Sequence, residues 1–105
     1  MPAFESPFAG LAHNRPLTHS ELVRAIRFMV AAEYEAVQLY QQLAESTDNA
    51  IAQTVLRDIA DEELVHAGEF MRLLYLLSPN EEALNAKGAA EVDEMATDFI
   101  RDAVI

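Results

Sequence analysis

The chain has 105 residues, 51% of them hydrophobic, with 18 acidic residues against 7 basic, a formal net charge of −11 and no cysteine. A chain this short is a single domain at the lower end of what buries an adequate core alone, so oligomerisation is an option from the outset, and the hydrophobic excess leaves apolar surface for partners. The acidic balance argues against binding nucleic acid or anionic lipid and favours cations, while the lack of Cys excludes disulfides, zinc-thiolate sites, iron–sulfur clusters and a rubredoxin-type centre, so that any metal must be held by Glu, Asp or His.

Residues 1–17, with Pro2, Pro7, Gly10 and Pro16, read as an irregular N-terminal arm in which Phe4, Phe8 and Leu11 are available to pin the chain to a neighbouring surface. No run approaches the roughly 18 apolar residues of a membrane span, and the N-terminus lacks the basic segment and apolar core of a signal peptide, so a cytoplasmic location is expected. Thr18-His19-Ser20-Glu21 has the Thr-x-x-Glu form of a capping box, and neither Gly nor Pro interrupts the chain from there to Ser46. The pattern predicts a first helix over 18–46, on the order of 40 Å long. Ser46-Thr47-Asp48-Asn49 is a polar turn of the length that joins antiparallel helices, and a second segment over 50–77, free of Pro, predicts the helix that packs back on the first. Ser78-Pro79-Asn80 stops it, because Pro cannot continue a helix and restricts the residue before it. After Gly88, residues 89–104 carry a shorter amphipathic pattern with Val92, Met95, Phe99 and Ala103 on one side. No strand-like alternation occurs, so the class is all-α: an antiparallel two-helix hairpin with a C-terminal helix.

Spacing of three and four residues collects Leu22, Ile26, Met29, Glu33, Val37 and Tyr40 into one stripe of the first helix, so Glu33 interrupts an apolar seam. The matching stripe of the second helix is Val55, Ile59, Glu63, His66, Phe70, Leu73 and Leu77, with Glu63 and His66 at its centre; Glu62 lies roughly 60° to the side at about 100° per residue. A Glu-x-x-His pattern alone is common. An ionised carboxylate in an apolar seam, however, costs several kcal/mol unless it is paired or metal-bound, and antiparallel packing brings the two interruptions to similar height. Carboxylate and imidazole without thiolate suit iron or manganese. The alternative is that Glu33 and Glu63 splay to the seam edge and His66 hydrogen-bonds to one of them.

A complete di-metal bundle needs four helices, two supplying a Glu each and two supplying a Glu-x-x-His, and this chain supplies one of each. A two-fold dimer would gather four carboxylates and two imidazoles for two metals. A second apolar row on the first helix, Phe28, Ala32, Leu39 and Leu43, lies roughly 130° from the first, with Glu35 in it. Two seams on one helix imply two interfaces, and pairing different interfaces can close a ring larger than a dimer.

Through Ala31-Ala32-Glu33-Tyr34-Glu35-Ala36-Val37-Gln38-Leu39-Tyr40, Ser46-Thr47-Asp48 and Asp61-Glu62-Glu63-Leu64-Val65-His66-Ala67, and in its Pro-x-Phe-x-x-Pro-Phe arm, the sequence resembles the encapsulated ferritin-like proteins, half-ferritins carried as cargo in encapsulin shells. The resemblance implies a ferritin-like four-helix bundle completed by dimerisation, a di-iron ferroxidase centre with two iron ions per subunit dimer, and a ring of dimers, typically a decamer. It assigns iron ligands to Glu33, Glu63 and His66, places Tyr40 beside the centre, and gives Glu35 a role in metal uptake or transit. It further implies that Fe(II) is oxidised to Fe(III) and that the product is stored inside the encapsulin nanocompartment. Some members carry Glu where this chain has Ala32 and Trp where it has Leu39, which leaves the uptake position around Glu35 poorer in ligands. Members usually carry a shell-docking peptide after a flexible linker, and no such peptide occurs up to Ile105.

Two other functions use the same residues. One is a rubrerythrin-like peroxidase or manganese catalase, which the lack of a rubredoxin-type centre disfavours. The other is a helical oligomer, without enzymatic activity, whose Glu/His pairs fix register.

Overall fold

The computed structural model describes residues 14–104, with side chains for 14–103; the readings made on Phe4, Phe8 and Leu11 of the arm lie outside the described residues. The described chain is helical throughout, as α1 (His19–Glu45), α2 (Ala50–Leu77) and α3 (Pro79–Val104).

Both hairpin helices start on side-chain caps. At α1 the Thr18 hydroxyl accepts from the Glu21 backbone N–H at 3.1 Å and the Glu21 carboxylate accepts from the Thr18 N–H at 2.9 Å, a reciprocal box that satisfies two otherwise orphaned donors. Arg15 adds a two-pronged clamp on the same carboxylate at 2.7 and 2.9 Å. The turn after Glu45 is closed by Ser46, whose N–H and hydroxyl donate to the carbonyls of Leu43 and Gln42, and by Gln53, whose amide reaches back to the Thr47 carbonyl at 2.6 Å. Asn49 then caps α2 by accepting from the Ala52 N–H at 3.0 Å.

The α1–α2 seam is narrower than the sequence stripe. Its best-buried residues are Val23, Ile26, Val37 and Ala44 on α1 and Ala60, Ala67 and Leu74 on α2. Extended by the half-buried positions, the seam rows are Val23, Ile26, Val30, Glu33, Val37, Tyr40 and Ala44 against Gln53, Leu56, Ala60, Glu63, Ala67, Phe70, Leu74 and Leu77, a strict alternation of three and four residues. Leu22, Met29, Val55 and Leu73, expected in the stripes, sit on the seam's edge and are at least a third exposed. The difference has a physical cause. Ala44, Ala60 and Ala67 are almost fully buried because small side chains let the helix axes approach, whereas a stripe chosen by large apolar residues passes over them. Of the second row of α1, Ala32, Glu35, Leu39 and Leu43 are exposed on the outside of the hairpin, while Phe28 is half-buried.

The third helix differs most from its expectation. It begins at Pro79, ten residues before the expected start at 89, and runs unbroken through Gly88. Pro79 ends α2 and starts α3 at once, since a missing N–H costs nothing in a helix's first turn and the ring presets a helical φ. Ser78 is the only residue between the two helices. Beyond Glu81 every residue of α3 with a described side chain is exposed, so the helix leaves the hairpin instead of packing along it. The described chain measures 62 × 45 × 21 Å.

The cap chemistry gives a pH prediction. Hydrogen bonds from Arg15, then from the Thr18 N–H, hold the Glu21 carboxyl at about 2 against an ordinary 4.5. A carboxylate whose pKa is depressed by folding stabilises the fold above its unfolded value and loses that contribution as pH falls toward the folded one. The first turn of α1 should therefore fray between about pH 4.5 and 2, read as loss of amide protection at Glu21 and Leu22 by NMR, and Glu21→Gln should abolish that pH dependence.

Candidate metal centre

Glu33 and Glu63 occupy seam positions on facing helices because each continues the three–four spacing of its row, Val30-Glu33-Val37 and Ala60-Glu63-Ala67. Their side chains are 19% and 17% exposed. His66 lies one turn beyond Glu63 on α2, but off the seam line and 48% exposed. The expectation that His66 sits at the seam centre is corrected accordingly: the row continues through Ala67, and the imidazole reaches in from the open flank of the hairpin.

The three side chains nevertheless converge. Each offers one ligand atom, and these atoms all lie within 4.8 Å of one another. Nδ1 of His66 is 3.5 Å from Oε2 of Glu63 and 3.8 Å from Oε2 of Glu33. These separations exceed the roughly 2.7–2.9 Å of a charge-assisted hydrogen bond, so the group is a set of facing donors and not a closed hydrogen-bonded pair. Neither carboxylate has another ion-pair or hydrogen-bond partner among the described residues; the Arg–carboxylate pairs, Arg15–Glu21, Arg27–Glu81, Arg72–Glu82 and those of Arg101, lie elsewhere. Two half-buried carboxylates facing one half-exposed imidazole, with no fixed cation, leave negative charge uncompensated.

That donor set fits a first-row divalent metal. Ligands at about 2.0–2.2 Å from one ion sit roughly 3–4 Å apart, so small rotations of these side chains would let them share it. The sequence-selected Glu63 is in the group, and the neighbouring Glu62 is exposed and outside it. Tyr40 occupies a half-buried seam position about two turns along α1 from Glu33 and is not one of the clustered residues. Glu35 stands roughly 200° around α1 from Glu33, exposed on the outer face, and is not brought to the cluster. Sequence reasoning missed Val30, Ala60 and Ala67, the residues that flank the carboxylates in the seam. The signal was present in the three–four spacing once alanine is counted as a seam residue.

Comparison with known proteins gives a consistent outcome. The family described as Rubrerythrin matches residues 22–103. The encapsulin nanocompartment cargo protein EncC of Myxococcus xanthus is 39% identical over 92 residues, covering 88% of this chain and 69% of that protein. The ferritin-like–encapsulin shell fusion protein of Pyrococcus furiosus is 37% identical over 82 residues, which is 78% of this chain and 24% of that protein, so the chain spans about a quarter of the fusion's length. Among solved structures, the crystal structure of the encapsulated ferritin domain from Pyrococcus furiosus superposes with a TM-score of 0.76 at 36% identity, over 80% of this chain and 86% of that one.

Uncompensated charge at a binding site sets metal affinity against the stability of the metal-free chain. Glu63→Gln, which keeps shape and removes one charge, should leave the melting temperature in chelator unchanged or raised. The same substitution should abolish the rise in melting temperature that Fe(II) or Co(II) produces in the parent under anaerobic conditions, since only a ligand bound to the native state stabilises it. A parent whose melting temperature does not respond to either metal would contradict the assignment of Glu33, Glu63 and His66 as ligands.

Proposed function

The chain belongs to the encapsulated ferritin-like branch of the rubrerythrin family, and from that premise we propose that it is a ferroxidase whose site is completed by a second copy of itself. What carries the reading is the convergence of Glu33, Glu63 and His66 from two helices, with ligand atoms within 4.8 Å. Three donors do not fill the coordination of two metal ions, and His66 faces the open side of the hairpin, where a partner would stand. A two-fold pairing through that side gives four carboxylates and two imidazoles, and the charge of four carboxylates balances two Fe(II).

In this reading Fe(II) is the substrate, two ions per dimer. Each of the two ions gives up one electron, and one dioxygen takes both electrons with two protons from solvent to leave as hydrogen peroxide. Glu33 and Glu63 supply the negative charge that favours Fe(III) over Fe(II), and His66 offers Nδ1, the ring nitrogen already turned toward both carboxylates. Tyr40, half-buried about two turns along α1 from Glu33, supports the centre without ligating it, and Glu35, on the outer face, serves uptake or transit of iron. Rings of such dimers, decamers in the family pattern, travel as cargo of an encapsulin shell, and the ferric product is deposited inside that nanocompartment. The relatives named as encapsulin cargo and as a fusion to an encapsulin shell support this partner. Among the described residues no helix is long and apolar enough to cross a membrane.

The family match also favours one second reading, a rubrerythrin-like peroxidase using the same ligands, with hydrogen peroxide as oxidant.

The test is to measure mass by light scattering with and without Fe(II) while following Fe(III) absorbance in the same sample. Oxidation should be confined to the associated form. Glu33→Ala, Glu63→Ala and His66→Ala should each fall by more than the roughly 10–100-fold typical of residues that only support ligands, while Tyr40→Phe should stay within that range. Wild-type rates in the three ligand variants would sink the ferroxidase proposal, and faster turnover with peroxide than with oxygen would replace it by the peroxidase.

A further inference from the structure

Every polar contact described between α3 and the hairpin falls within the first seven residues of α3. Two come from α2: Arg72 reaches Glu82 at 3.5 Å, and Asn85 donates to the Tyr75 hydroxyl at 2.8 Å. The third comes from the other helix. Arg27 of α1 donates through Nε at 2.9 Å, and also through Nη2, to Oε1 of Glu81, which in addition accepts from the Ser78 hydroxyl at 3.2 Å. One carboxylate oxygen thus joins α1, the linker residue and the first turn of α3. Consistent with this, the Arg27 hydrogen bonds hold the Glu81 carboxyl below the usual range.

Contacts from α2 alone would leave α3 free to swing about the end of the helix it continues. A tie from α1 triangulates the junction. Pro79 fixes its own φ, and Ser78 is the only intervening residue, so few backbone torsions remain to be restrained and a partly exposed ion pair is sufficient. We propose that the Arg27–Glu81–Ser78 node is a latch that sets the direction in which α3 leaves the hairpin and keeps its apolar stripe from folding back onto that hairpin. The stripe is Val92, Met95 and Phe99, 61%, 66% and 76% exposed, and the hairpin carries exposed apolar residues of its own, Leu39 and Leu76 among them. Apolar surfaces on one chain attract, so holding them apart requires a restraint at the hinge. At 26 residues α3 is about 39 Å long, and each 10° of swing displaces its tip by about 7 Å.

The absence of native Cys allows a direct test in the full chain. Spin labels are attached through R57C on α2 and E94C on α3, both exposed, with labelled chains diluted into excess unlabelled chain so that only distances within one subunit are read. The parent should give one narrow distance distribution. Arg27→Ala and the isosteric Glu81→Gln should each broaden it by several ångströms and add a population at shorter separation, while the charge exchange R27E/E81R should return it to the parent's width. Distributions for R27A and E81Q that superimpose on the parent's, at equal helix content by circular dichroism, would overturn the latch, as would an exchange variant as broad as the single ones. None of these readings depends on metal binding.

Discussion

Close approach of α1 and α2 along a seam that sets buried alanines among larger side chains is the constraint from which the rest of the molecule follows. Alanine at 44, 60 and 67 is almost fully buried, small enough to let the two backbones approach. Glu33 and Glu63 stand in the middle of it. They are held by their neighbours, not by a partner of their own. The apolar cluster of Val23, Ile26 and Leu74 toward α3, and the buried Val37 and Ala60 in the rows on the side of the turn, flank the two carboxylates in the seam. The hairpin supplies the stability, and the charged centre draws on it.

Much of this was legible in the residues. The capping box at Thr18, the polar turn at 46–49 and Pro79 bound both hairpin helices to within a residue or so. The selection of Glu63 over Glu62 follows from helical angle alone. What failed was the weighting of side chains. Leu22, Met29, Val55 and Leu73 are large and apolar and were placed in the seam, while the alanines that bring the helices together contribute little to any hydrophobic count. That error also moved His66 inward by one position, although its exposure is the feature that makes the site look outward. Pro79 stops α2 as its chemistry requires, but a proline also starts the helix ahead of it, and only that second effect shows that α3 begins at 79 and not at 89.

The junction at Ser78 shows how a chain this short controls shape at a distance. In this arrangement the hairpin leaves α3 uncovered beyond Glu81, so its direction depends on polar contacts at its first turns. The residue that reaches furthest, Arg27, is exposed on the flank of α1, about 100° around the helix from the seam residue Ile26. Direction of the third helix and chemistry of the centre are therefore carried by different residues of α1, Arg27 for the one and Glu33 for the other.

The half-exposed His66 has a consequence at the level of inheritance. Under the proposed pairing, both halves of the centre are read from one coding sequence, so a change at Glu33, Glu63 or His66 appears twice in every site and the two halves cannot diverge. In a cell expressing an altered copy beside an intact one, mixed pairs would carry a damaged half, and the altered copy would act dominantly over the intact one. A bundle with all four helices in a single chain escapes this, because each of its ligands is encoded separately.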